Sequence, residues 1–205
     1  PFRMKSDFNE YQAKTVIIAT GASARLLGLE SEKTLMGNGV SACATCDGAF
    51  FPDKHVLIVG GGDSAMEEAI YLTRFASKVT VVHRREGFSA SRIMLDRAQR
   101  NEKIEWLLFR TVKDILAGED GKVDRVILID PRDGSESEFA CDGIFIAIGH
   151  DPNTGLFRDQ IEMDDPGYII VHEGSRTSVE GVFACGDAMD KRYRQAITAA
   201  GTGCM

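Results

Sequence analysis

Residues 54–83 constrain the fold more tightly than any other stretch, because they read in turn as strand, glycine turn, helix and strand. Lys54–Val59 is a short apolar run, β-branched at its centre. Gly60-Gly61-Gly62-Asp63-Ser64-Ala65 follows at once. Met66–Ala76 then carries helix formers at apolar spacing, and Lys78–His83 returns to a valine-rich strand. A strand, helix and strand within about 30 residues is a βαβ unit. Within it, Gly60-x-Gly62-x-x-Ala65 has the spacing of a dinucleotide-binding turn. Glycine lets the chain turn and approach a pyrophosphate, and a small third residue lets helix and strand pack closely. The anion then rests on the helix N-terminus, where free N–H groups point outward. Gly61, Asp63, Ser64 and Glu67 belong to the same candidate surface. A tight turn without a ligand is the plainer alternative.

The end of the second strand selects the nucleotide. A site for NADH places an acid there to hold the ribose 2′-hydroxyl. This chain has His83-Arg84-Arg85. Guanidinium groups pair with a 2′-phosphate through charge-assisted hydrogen bonds, so NADPH is expected. A solvated basic loop is the alternative for these residues.

Two further features carry chemistry. Cys43-Ala44-Thr45-Cys46-Asp47 is a C-x-x-C pair followed by an acid, a spacing that allows a short disulfide to open and close beside a proton carrier. Half of a zinc site and two inert buried thiols are the competing readings, and neither the other three cysteines nor the four histidines supply a matching second pair. Gly181–Ala184 reads as a short strand running into Cys185-Gly186-Asp187, which places Asp187 where a ribityl or ribose hydroxyl could be bound; a simple strand-end turn is the alternative. Cys141, Cys185 and Cys204 are expected to be structural thiols, and Trp106 a packing residue.

Composition excludes several classes. Lys+Arg 24 against Asp+Glu 31 gives a net charge of −7, which provides no footprint for generic nucleic-acid binding. The longest apolar runs, such as Thr15–Thr20 and Ile144–Ile148, are strand-sized, so no membrane span is expected. Five scattered cysteines argue against a disulfide framework and for a reducing compartment. A cytoplasmic setting is expected, with an organellar one still open.

Along the chain, Phe2–Met4 and Tyr11–Thr20 read as strands, residues 22–40 as a connection and Phe88–Asn101 as a helix. Val123–Ile129 and Glu136–Ala140 flank Pro131-Arg132-Asp133-Gly134-Ser135 and read as an antiparallel hairpin; Ile144–Ile148 and Tyr168–Val171 read as strands. Texture changes near Ala22–Gly28 and near Gly149–Pro152. The expected organisation is α/β: a three-layer Rossmann-like nucleotide domain with an antiparallel hairpin, residues 25–149, inserted between residues 1–24 and 150–205, which belong together.

The combination resembles the low-molecular-weight thioredoxin reductases of bacteria and plants. The likeness rests on Thr20-Gly21-Ala22-Ser23, Ser41–Gly48, Gly60–Ala69, His83-Arg84-Arg85, Ala147-Ile148-Gly149-His150, Gly186-Asp187 and Tyr193–Thr198. It implies a homodimer in which NADPH reduces FAD, FAD reduces the Cys43–Cys46 disulfide, and the dithiol reduces thioredoxin. It also implies that Cys46 faces the flavin, Cys43 attacks thioredoxin and Asp47 is the acid/base. Ile148 and Gly149 would contact nucleotide, and Gly186, Asp187, Arg194, Gln195, Ala196 and Ile197 would contact FAD. The two flanking segments would then be an incomplete Rossmann-like FAD domain.

Three departures stand out. Ser89 occupies a place where such proteins usually carry arginine for the 2′-phosphate, so selectivity would lean on Arg92 or weaken. Cys185 replaces a usual alanine. A glycine fingerprint for FAD, expected ahead of residue 1, is not in this sequence, nor is a closing helix beyond Met205. The chain is therefore expected to be a piece of such an enzyme, binding NADPH and holding FAD weakly. A free-standing NADPH-binding module without flavin turnover, and a peroxiredoxin-reducing flavoprotein, are the other functions to weigh.

Overall fold

The computed structural model describes residues 1–205. The chain divides into two compact units, one of Ala24–Gly149 and one of Pro1–Ser23 with His150–Met205.

The chain begins in the second of these. β1 (Phe2–Lys5) and β2 (Glu10–Ala13) form an antiparallel hairpin, with Phe2 opposite Ala13. β3 (Val16–Ile18) instead runs parallel to a late strand, Val182–Ala184. The single strand expected over Tyr11–Thr20 is thus two strands broken at Lys14-Thr15, since the halves serve different sheets. The short strand β4 (Ala22–Ala24) follows.

The larger unit begins with α1 (Glu30–Thr34), inside the segment expected to be a connection. The buried Glu32 carboxylate accepts the N–H groups of Leu27 and Gly28 at 2.8 and 2.9 Å, which fixes the loop before this polar helix. Then come β5 (Val40–Ser41), α2 (Ala44–Asp47), β6 (His55–Val59), α3 (Asp63–Leu72), β7 (Lys78–His83) and α4 (Arg92–Gln99). β8 (Ile104–Leu108), β9 (Thr111–Ala117), β10 (Val123–Ile129), β11 (Glu136–Ala140) and β12 (Gly143–Ile146) complete it.

Five strands make one parallel sheet in the order β5-β12-β6-β7-β8. β11, β10 and β9 make a separate antiparallel sheet. The expected hairpin is present with its predicted bounds, but β9 adds a third strand beside it. β8 and β9 were not among the expected elements.

Alternation along the parallel strands explains the layering. Val56 and Ile58 face α3, packing with Ala65, Met66, Ala69 and Phe145. Leu57 and Val59 face the antiparallel sheet, packing with Ile115, Val126, Leu128 and Ile144. Both faces are covered, so the strands read as continuous apolar runs. The result is the expected three layers. α3 ends at Leu72 rather than Ala76, and α4 begins at Arg92 rather than Phe88, because residues 88–91 fold back onto the glycine turn.

The chain then returns through β13 (His150–Pro152), β14 (Val182–Ala184) and α5 (Ala196–Gly203). Ile18, Ile169, Val182, Ala184 and Ala188 form the small core of this unit. Tyr168–Val171 is not a strand, and only a bridge between Met163 and Ile169 remains. Its amides turn to different partners, Ile169 N–H to the Ala188 carbonyl and Ile170 N–H to that of Glu162, so no ladder builds up. No helix is long and apolar enough to cross a membrane.

Candidate functional site

The glycine turn joins β6 to α3 at the carboxyl end of the parallel sheet. A Cβ on Gly60 would strike the Ala147 carbonyl and lie 2.7 Å from the Ala65 Cβ; one on Gly61 would enter the His83 ring. Neither glycine has a positive φ, so both are needed for room rather than for backbone conformation. Gly62 differs. The nearest atom to its would-be Cβ is Ser89 Oγ at 3.6 Å, an ordinary contact, so Gly62 is not packed against its neighbours as Gly60 and Gly61 are. Gly62 is also the N-cap of α3 and no side chain caps the helix, which leaves its first N–H groups for a ligand.

A loop fixes this turn from above. The Gly61 carbonyl accepts Ser89 N–H at 2.8 Å, Ala90 N–H at 3.0 Å and Ser89 Oγ–H at 3.1 Å. Asp63 Oδ1 accepts Ser91 N–H at 2.7 Å. His83 stacks on Phe88 with ring centroids 4.9 Å apart, and Phe88 meets Trp106 edge-on at 5.1 Å. The His83 ring is therefore a buried floor under Gly61, whereas Arg84 and Arg85 are exposed.

These residues border a cleft of about 600 Å³, within the size range of small-ligand sites. Gly60, Gly61, Gly62, Asp63, Ser64, His83, Arg84, Arg85, Ile148 and Gly149 all line it. Ala65 is buried beneath the turn, and Glu67 is exposed on α3 outside the lining. Arg92 also lies outside it. Leu27, Arg110, Thr111 and Val112 join the lining without having been singled out in the sequence. Arg110 is the residue among them with chemistry, and no local pattern marks it.

Cys43 and Cys46 are joined by a disulfide across the start of α2. Its surroundings are orderly. Cys43 N–H donates to Ser41 Oγ at 3.0 Å, and Asp47 N–H donates to the Cys43 carbonyl at 3.1 Å. Ala44 N–H donates to Glu68 Oε2 at 3.2 Å, which ties α2 to α3. Cys46 is exposed and Asp47 half-buried. The remaining cysteines are free thiols: Cys141 and Cys185 are buried and Cys204 is exposed. Burial pushes the Cys141 thiol up to about 12, which keeps it protonated and unreactive. No group of three or more His, Cys, Asp or Glu side chains is arranged to hold a metal ion.

The other unit has a cavity of about 220 Å³, lined by Ala19, Gly21, Gly186, Asp187 and the segment Arg194-Gln195-Ala196. Gly186 has a φ of 65° and starts a single tight turn that presents Asp187. Gln195 and Thr198 close a capping box at the start of α5. Ile197 is 80% exposed and outside the lining.

Comparison with known proteins places these features in context. Residues 3–203 match the family described as pyridine nucleotide-disulphide oxidoreductase. A thioredoxin reductase of Rickettsia conorii is 55% identical over 96% of this chain and 64% of its own length. One of Mycolicibacterium smegmatis is 55% identical over 95% of this chain and 62% of its own. The crystal structure of thioredoxin reductase from Streptococcus pyogenes, 48% identical, superposes with a TM-score of 0.89, covering 97% of this chain and 65% of that one. The chain thus spans less than two thirds of the length of these relatives.

Proposed function

Since the chain belongs to the pyridine nucleotide-disulphide oxidoreductases, we propose that it serves thioredoxin-disulfide reduction, passing electrons from NADPH through FAD to the Cys43–Cys46 disulfide and on to thioredoxin. One observation carries this reading. The N-terminus of α3 forms the nucleotide turn, and Glu68 of the same helix holds the disulfide-bearing α2 through Ala44. One rigid element thereby positions both a dinucleotide cleft and a redox pair.

The residues present fit NADPH. Gly62 at the cleft wall, the uncapped helix end and the exposed Arg84 and Arg85 suit a pyrophosphate and a 2′-phosphate. The smaller cavity offers FAD the Asp187 carboxylate for a hydroxyl and the Arg194–Ala196 segment for a further contact. Together the bound cofactors would supply an electron pair to the disulfide. That pair breaks the Cys43–Cys46 bond to give two thiolates, and a proton carried by Asp47 leaves one of them as a thiol. The Cys43 thiolate then attacks one sulfur of the partner disulfide and displaces the other as a thiolate, giving a mixed disulfide. Asp47 takes the proton back from Cys46, and the Cys46 thiolate attacks Cys43, which restores the intramolecular bond and displaces the partner's second sulfur. The two partner thiolates take one proton from Asp47 and one from solvent, so the partner leaves as a dithiol. We further propose a homodimer working in the cytoplasm.

Differential alkylation before and after mild reduction tests the redox assignment. Cys43 and Cys46 should become labelled together, and only after reduction, while Cys141 and Cys185 stay unlabelled in the folded protein. Labelling of one member alone would overturn it.

A further inference from the structure

The nucleotide cleft contains a third cation supplied by a neighbouring strand. β7 and β8 run parallel with His83 opposite Leu108, so the residues after each strand emerge side by side at one end of the sheet. Arg84 and Arg85 follow β7, and Phe109 and Arg110 follow β8. Phe109 turns the chain with a φ of 54°, and Arg110 N–H donates to the His83 carbonyl at 3.1 Å. Arg110 lines the same cleft as Arg84, Arg85 and the glycine turn.

Arg110 does not have its carboxylate partner to itself. Arg110 pairs with Asp130, whose side chain is 3% exposed. The same carboxylate already accepts Arg132 through Nε at 3.0 Å, Nη2 at 2.7 Å and the backbone N–H at 2.9 Å. Asp130 is thus shared by two guanidiniums, and Asp133 is a second carboxylate near Arg132. Arg132 lies over the Phe109 ring at 4.0 Å and outside the cleft lining, so Arg110 is the guanidinium of the pair at the cleft. Arg110 Nη1 serves the Phe109 carbonyl and Asp130, which leaves the donors on Nε and Nη2 for a ligand. Ser89, by contrast, contributes no charge and directs its hydroxyl to the Gly61 carbonyl.

We propose that Arg110, oriented by Asp130, is a specificity-determining residue that joins Arg84 and Arg85 in holding the 2′-phosphate of the nucleotide. This rests on the NADPH reading given above. A guanidinium with free donors on adjacent nitrogens matches the bidentate geometry that phosphate oxygens accept.

The test is calorimetric binding of 2′,5′-ADP and of 5′-AMP, which lacks the 2′-phosphate, to the full chain. Arg110→Ala should weaken 2′,5′-ADP about tenfold, the scale of one charge-assisted contact, and leave 5′-AMP unchanged; Arg110→Lys should recover part of the loss. Asp130 keeps its three bonds to Arg132 in either variant, so the thermal unfolding midpoint should stay close to that of the parent. Equal losses for both ligands would mean that Arg110 supports the adenine or the fold, and no loss would mean that it faces solvent. Either outcome overturns the proposal. The double variant Arg84→Ala/Arg85→Ala separates the two levels. If it loses discrimination while Arg110→Ala keeps it, only the Arg110 assignment falls; if neither loses it, the NADPH reading falls with it.

Discussion

β6 and β3 look alike in sequence, each an apolar run closed by glycine, yet they end in different surroundings. β6 lies between β12 and β7 with layers on both faces, and Val56, Leu57 and Ile58 are completely buried. β3 has β14 as its one partner strand; Ile18 is buried while Ile17 is 69% exposed. Burying an isoleucine fully contributes roughly 1.5–3 kcal/mol, most of which Ile17 forgoes. A hydrophobic run therefore specifies a strand, but its stability comes from the neighbours that cover it.

The contrast should be largest in hydrogen exchange. Amides of β6, β7 and β12 should exchange on the order of 100-fold more slowly than those of β3 and β14, because the latter need only a local opening. Equal protection would show that both regions open as one. Core truncation should follow the same order. Phe145 is fully buried and meets Phe51 edge-on at 5.3 Å, so Phe145→Ala should cost about 3–5 kcal/mol in chemical denaturation. Val182→Ala, in the small core, should cost clearly less; a reversed ranking would break the comparison. Gly61→Ala tests the packed turn at a finer scale. Forcing a methyl group against His83 should destabilise by about 1–3 kcal/mol and weaken NADPH binding with it, whereas Gly37→Ala, with open space around it but a φ of 79°, should leave nucleotide affinity intact. The smallest effect concerns pH. The Cys141 thiol is raised from 9.0 to about 12, so its contribution is complete below pH 9 and declines as pH climbs towards 12. Stability of the larger unit should fall by about 1 kcal/mol at pH 10, and Cys141→Ala should remove that slope.

The sequence was most legible where local pattern and tertiary role coincide. β7, β10 and β11 have their predicted bounds, and the βαβ unit could be read because valine-rich runs, a glycine turn and helix formers agree with the sheet that contains them. It was least legible where long-range partners decide. α1 is five polar residues whose entry loop is fixed by the buried Glu32. Tyr168–Val171 has strand composition but no continuous partner. Arg110 owes its place to a turn at Phe109 and to Asp130, a carboxylate twenty positions away that only the folded antiparallel sheet brings near. Gly60 is legible as a fingerprint glycine, whereas Gly61 falls on a variable position of that pattern; only the folded chain shows that a side chain at Gly61 would run into His83.

One hydrogen bond has a broader meaning. Arg25 N–H donates to the Gly149 carbonyl at 2.9 Å, so the larger unit is entered and left at nearly the same point. A stretch of chain with touching ends behaves as a cassette. It can be cut out, closed by a short linker into a circular permutant, or transplanted into a surface loop of an unrelated host, without pulling apart the backbone on either side of the graft.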